Sequence, residues 1–449
     1  MSCAQAGDGG RVVLGDERFE EYVPVLAGKR VAVFSNQTGI VGDRVKGSKL
    51  AEELRRQMPG QAGHDVKSAG HDALLSSPAP TGDPGPSASS GTGVDWSLIP
   101  FDEPAKEGGR IEYGPHLVDV LLEKGVDVRV IFSPEHGFRG TADAGEHVDS
   151  GRDEKTGVEI LSLYGGGSKA FGKESMDKFD VLLVDIQDVG LRYYTYYISM
   201  HHLMEACAKH GKKVIILDRP NPNGFYVDGP VLDMEYRSGV GWLPIPTVHG
   251  MTLGELALMI NGEGWLEGGI KCNLEVVPCL GYSHGMKTAL ILPPSPNLKD
   301  MRAVYLYSST CYFEGTVVSL GRGTPWPFEV YGHPDIQEYS FSFIPRSIPG
   351  AKNPPLLDGE CHGEDLRGKP LPEIWDEGID LEYVVSAYRA LNIGEAFFGD
   401  GRFFDLLAGV GYVRRMIIEG ASAAEVKARW KDDVEAFKAR RQPYLLYDE

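Results

Sequence analysis

The chain has 449 residues, 42% of them hydrophobic and 24% charged, with a formal net charge of -19. That balance suits a globular protein with a large core and about two domains. The acidity excludes a nucleic-acid binder, because no basic stripe exists to neutralise phosphates, and it requires a local arginine for any anionic substrate. No apolar run approaches membrane-spanning length.

The opening "MSCAQAGDGG" is too short and polar to be a signal peptide. It reads either as an ordinary cytoplasmic start or as the remnant of a bacterial lipoprotein site. On the second reading Met1 stands where a leader was removed, Cys3 carries lipid, and the protein belongs to the cell envelope or periplasm. The first buried strand is expected at "RVAVFS" (Arg30–Ser35), followed by "SNQTG". From about residue 60 to 109 the composition turns rich in Ser, Pro and Gly and reads as a long surface insertion. Beyond it, "HLVDVLLEK" (His116–Lys124) is helical, with Gly125 as its stop.

Three further apolar runs follow: Val128–Phe132, Val181–Ile186 and Val214–Asp218. Short continuous runs of this kind suit parallel strands buried on both faces. The stretch Thr195–His210, ended by Gly211, is the second clear helix. In "VHGMTLGELALM" the residues Thr252 and Glu255 stand at capping-box spacing. The alternation implies a Rossmann-like, doubly wound parallel α/β sheet over residues 1–298. From 299 to 449 the chain becomes aromatic and Gly-rich, then helical, which implies a smaller mixed α/β domain with a cleft between the two. The closing "YLLY" is expected to pack back on the body. Six cysteines show no zinc or redox spacing; Cys272 and Cys279 are close enough in sequence to bridge, although buried free thiols fit better.

Ligands of open α/β sheets bind beyond the carboxyl ends of the strands. Here four successive strands lead into "SNQTG", "SPEHGFRG", "DIQDVGLRYYTYY" and "DRPNPNG". Together they bring amides, carboxylates, arginines and a histidine to one edge. Glu135, between Pro134 and His136, suits general-acid work, with His136 orienting it or binding substrate. Asp188 and Glu314 compete as the second catalytic group. Arg139, Arg192 and Arg322 are candidate carboxylate clamps, since guanidinium offers a bidentate fork. Asn36, Asp185, Tyr196, His249 and Asn297 are further candidate substrate contacts. No cofactor is expected: no G-x-G-x-x-G follows the first strand and no metal-ligand spacing is present.

In this order, "SNQTG", "FSPEHGFRG", "SLYG", "DIQDVGLRYYTYY", "LDRPNPNG", "HGMTLGELA", "PPSPN", "EGTVVSLGRGTPWPFE" and the terminal "YLLY" resemble the bacterial exo-β-N-acetylmuramidase family. The resemblance covers nearly all the chain outside the insertion. It implies the two-domain fold with its cleft, Glu135 as the leading catalytic residue, and release of N-acetylmuramic acid from non-reducing ends of peptidoglycan fragments. Muropeptides or disaccharides would be the partners. A non-catalytic cell-wall sugar-binding protein using the same cleft is the alternative, and turnover separates the two. A nicotinamide-dependent enzyme is the weaker third class.

Overall fold

The structure is a computed structural model that describes residues 12–43, 45–46, 112–134, 137–138, 151–163 and 170–449. In chain order its strands begin with β1 (Arg30–Ser35) and the short antiparallel pair β2 (Val45–Lys46) and β3 (Glu112–Tyr113). There follow β4 (Asp127–Ser133), β5 (Gly151–Arg152), β6 (Glu159–Ser162), β7 (Val181–Asp185), β8 (Lys213–Leu217) and β9 (Asn273–Val277). They form a seven-stranded sheet in the order β5-β6-β4-β1-β7-β8-β9. Only β5, on the edge, runs antiparallel to its neighbour. Counted along the chain, the parallel strands stand in the order 3-2-1-4-5-6, which is that of a Rossmann-type sheet.

Residue alternation explains the double winding. Val31 and Val33 of β1 pack with Tyr22, Leu26, Leu117 and Leu121 on one face. Ala32 and Phe34 pack with Met176, Tyr197, Met200 and Leu203 on the other. A strand whose alternate side chains are all apolar must bury both faces, so helices cover both. Two of those helices, Leu117–Glu123 and Tyr196–Lys209, end before Gly125 and Gly211, whose φ values of 78° and 63° let the chain turn away. The Thr252–Glu255 capping box opens the helix Leu253–Glu263.

The C-terminal half carries a separate antiparallel sheet, β10 (Val330–His333), β11 (Phe341–Phe343) and β12 (Cys361–Asp365), with β12 in the middle. Helices from Leu371–Glu377 to Lys431–Arg441 follow it in the chain. The chain end does return to the body. Leu446 donates its N–H to Glu255 (2.8 Å), and the Tyr447 hydroxyl donates to Asp218 (2.6 Å) at the exit of β8. Burial pushes the Asp218 carboxyl up to about 6, against the hydroxyls of Tyr447 and Thr252 that favour its charge. Cys207, Cys272, Cys279, Cys311 and Cys361 are buried free thiols, so Cys272 and Cys279 form no bridge. Cys3 and the insertion at 60–109 lie outside the described residues.

Candidate active site

The strand order reverses between β1 and β7, and their carboxyl ends meet where Ser35 pairs with Asp185. The chain itself fills this crevice. Asn36 accepts from the amide and hydroxyl of Thr38 (3.0 and 2.6 Å) and donates to the Tyr196 hydroxyl (3.0 Å). That hydroxyl and the one on Tyr194 donate to Pro294 O (3.1 and 2.7 Å), while Gln37 donates to Pro293 O. The "PPSPN" segment is thereby laid across the switch point. The cavity left at Thr38, Gln187 and Arg219 measures about 20 Å³. Asn36 is thus a buried strut for Tyr196. Asp185 is a correction to the sequence reading: instead of facing substrate, it accepts from Arg219 Nε (2.7 Å) in a buried network that also holds Asp16 (2.8 Å).

The open space lies further out, between the two halves. It is a cleft of about 890 Å³ whose walls include Tyr193–Tyr196 and Asn297 from the first half, and Glu314, Arg322 and Phe328 from the second. Tyr193 stitches the walls together by donating to the carbonyls of Tyr307 and Ser308 (2.9 and 2.7 Å). Asn297 donates to Gly350 O (2.9 Å), tying the Pro-rich segment to a loop of the second half. Thr195 heads the helix Tyr196–Lys209 yet its hydroxyl makes no capping bond. The N-terminal end of that helix opens on the cleft, where its partial positive charge favours an anionic group.

Glu314 and Arg322 form an ion pair in this cleft. Glu314 sits in the 3-10 turn Cys311–Gly315 that ends the helix Met301–Thr310. Arg322 stands between Gly321 and Gly323, with φ values of 83° and 82°. A Cβ on Gly321 would meet Trp326 O at 2.6 Å, so the turn that presents Arg322 needs glycine there. Nε and Nη2 of Arg322 both donate to Oε1 of Glu314 (3.2 and 2.5 Å). The pair is only partly exposed, and the guanidinium lies 5.0 Å from the Phe328 ring centroid. Because both bonds converge on one oxygen, Oε2 of Glu314 and Nη1 of Arg322 remain for a ligand.

Three candidates stand elsewhere. Arg192 is fully buried. It donates to the carbonyls of Pro230 (2.8 Å), Ile245 (3.2 Å) and Leu407 (2.8 Å), and to the Thr247 hydroxyl (3.5 Å). Those bonds join the first half to the helix Arg402–Ala408, so Arg192 is a strut and not a cleft-side clamp. Burial, unrelieved by a carboxylate, pulls its pKa down. We expect Arg192→Lys to cost about 2 kcal/mol or more of stability, since an ammonium cannot reach all four oxygens. Its effect on discrimination between N-acetylmuramic acid and N-acetylglucosamine glycosides should be nil. Denaturant unfolding together with the ratio of specificity constants checks both parts.

Asp188 is buried in the loop after β7, where Oδ1 accepts from Gly190 N (2.7 Å), and it does not line the large cleft. Burial pushes its carboxyl from 3.8 up to about 7, with the amides of Gly190 and Val189 opposing. The folded chain therefore keeps a proton that the unfolded chain loses. Stability should fall as pH rises from about 4 to 7, by at most about 1.4 kcal/mol per pH unit, and be level above. Asp188→Asn should flatten that slope, stabilise the protein above pH 7 and leave turnover within a few-fold. Melting curves across this pH range, with assays alongside, test it. His249 is buried as well; it accepts from Met251 N (3.2 Å), and burial near Arg441 pulls it down to about 3. It does not line the cleft.

Glu135, His136 and Arg139 lie outside the described residues. The end of β4 before them is one hydrogen bond from the cleft wall. Ser133 O accepts from Leu163 N (3.0 Å), and Leu163 lines the cleft. Lining residues that the sequence reading did not single out include Ser199, His202, Lys352 and Phe403. Thr195, Ser199 and His202 recur at i, i+4 and i+7, which marks one helical face, so the first two carried a legible signal. The His202 ring packs edge-on against Trp242 and Phe171 (4.8 and 5.7 Å). Burial pulls it down to about 4, leaving a neutral imidazole.

Comparison with known proteins agrees with this architecture. Residues 105–302 match the family model for the N-terminal domain of exo-beta-N-acetylmuramidase NamZ, and residues 305–447 match its C-terminal counterpart. The peptidoglycan beta-N-acetylmuramidase NamZ of Bacillus subtilis is 35% identical over 384 residues, which cover 79% of this chain and 91% of that protein. A crystal structure of a DUF1343 family protein from Bacteroides fragilis superposes with a TM-score of 0.77 at 48% identity, covering 98% of this chain and 99% of its own. A second DUF1343 protein of that organism gives 0.67 at 25% identity, over 98% and 100%. The Rossmann-type sheet, the cleft against a smaller second half and these matches lead to one conclusion: the chain belongs to the exo-β-N-acetylmuramidase NamZ family.

Proposed function

We propose that this chain is an exo-acting glycosidase that releases N-acetylmuramic acid from the non-reducing ends of peptidoglycan fragments. Besides the family, the observation that carries the reading is the partly exposed Glu314–Arg322 pair in a cleft whose walls include Tyr193, Tyr194, Tyr196, Tyr307 and Asn297. Glycosidic cleavage needs an acid at the leaving oxygen and a second group at the anomeric side. Glu135 is assigned the first task. Glu314, with Oε1 anchored by Arg322, offers Oε2 to a water or to the N–H of the 2-acetamido group. Arg322 keeps Nη1 for the lactyl carboxylate, the group that distinguishes muramic acid from glucosamine.

Incubation with the disaccharide N-acetylmuramyl-β-1,4-N-acetylglucosamine tests the reading. Free N-acetylmuramic acid is the expected product; sugar bound without release would leave a binding protein instead. We further infer that the activity resides in the cell envelope, where such fragments arise, with lipid on Cys3. Fractionation of the native host and intact mass of the purified protein check this, and an unlipidated soluble form would end it.

A further inference from the structure

We propose that Phe403, on the rim of the cleft, is the platform on which the leaving sugar stacks. The inference rests on the proposed glycosidase activity and adds the residue that selects what is attached to the muramic acid. Phe403 lines the same cleft as Glu314 and Arg322. It is 39% exposed, in a helix whose other aromatic, Phe404, is fully buried. An isolated exposed aromatic on a surface calls for no explanation. This one sits on a helix whose backbone is closely packed at both ends.

The helix Arg402–Ala408 is fixed at both ends by close backbone approaches. At its start, a Cβ on Gly315 would lie 2.4 Å from Phe404 Cα, so only glycine after Glu314 lets the first turn come this near. Phe403 precedes Phe404 and Glu314 precedes Gly315, so this close approach brings the two segments together at the cleft. At its end, Leu407 O accepts from Arg192 (2.8 Å), and a Cβ on Gly409 would lie 2.6 Å from that guanidinium. Phe404 packs edge-on against Phe398 (4.7 Å), which stops the helix from rolling. The first turn is locked while one flat apolar ring stays in the opening.

A pyranose has one face of axial C–H groups that an aromatic ring accepts, while its hydroxyls stay in water. The buried Tyr194 and Tyr196 have their hydroxyls on Pro294 and close the wall of the cleft. Phe403 stands at the rim, where the aglycone of an exo-acting enzyme must leave. Its task is to hold N-acetylglucosamine while the bond to the muramic acid is protonated and broken.

The test compares the disaccharide N-acetylmuramyl-N-acetylglucosamine with methyl β-N-acetylmuramide, whose aglycone has no face to stack. Phe403→Ala should lower kcat/KM for the disaccharide by about three- to tenfold, chiefly through KM, the scale of one aromatic contact. The methyl glycoside should be unaffected, and Phe403→Trp should retain the wild-type preference. Equal losses on both substrates, or an unchanged ratio, would overturn the platform. Wild-type protein that releases no muramic acid from either would instead overturn the activity on which it rests. Melting temperatures of both variants verify that the fold is intact.

Discussion

Glu135→Gln is expected to lower turnover of the disaccharide by roughly a hundredfold or more, the scale of losing an acid–base group. The substitution keeps the side chain's size and removes only its transferable proton, so sugar affinity should stay close to wild type. The reason lies in the leaving group. A sugar alkoxide is a poor one and must be protonated as the bond breaks. Glycosides with a nitrophenolate leaving group need little protonation, so the same variant should lose much less activity on them. Measuring both substrates separates an acid from a binding residue. A variant that hydrolyses the disaccharide at nearly the wild-type rate would remove Glu135 from the mechanism.

Arg322→Lys should narrow the preference for N-acetylmuramic acid over N-acetylglucosamine glycosides by roughly tenfold, the value of a hydrogen bond to a charged group. In the native cleft one guanidinium performs two tasks. Nε and Nη2 hold Oε1 of Glu314, and Nη1 remains for an incoming carboxylate. An ammonium is a single point charge without that planar fork, so it can pair with Glu314 or with the lactyl group but cannot hold both in the same geometry. The loss should appear mainly with the muramic acid glycoside, while the small activity on the glucosamine glycoside changes little. Glu314→Gln should affect both glycosides, because its task concerns the shared anomeric centre or acetamido group. The ratio of specificity constants in each variant decides the assignment. Should Arg322→Lys leave that ratio unchanged, the lactyl clamp is another residue, with Arg139 the next to test.

Much of this protein was determined by short-range features that a sequence displays directly. The stretches 31–34 and 181–184 are apolar at every position, and a strand so composed must be buried on both faces. Glycines placed after helical stretches, and Thr252 with Glu255 three residues later, set helix ends through backbone dihedrals and local hydrogen bonds. Hence the doubly wound sheet was legible. The roles of individual side chains at its carboxyl edge were not, because they depend on which distant segments fill the space around them. Arg192 and Arg322 look alike in sequence, each a lone arginine near glycine in a polar loop. Carbonyls of residues 230, 245 and 407 converge on Arg192 and bury it, whereas Gly321 and Gly323 turn Arg322 into the cleft. Asp185 is claimed by Arg219, and Asp188 is buried within the loop after β7, while Glu314 meets the ligand space. A carboxylate or guanidinium is drawn to whichever partner the fold brings within hydrogen-bond reach, and only the packing of remote segments chooses between a neighbour and a substrate.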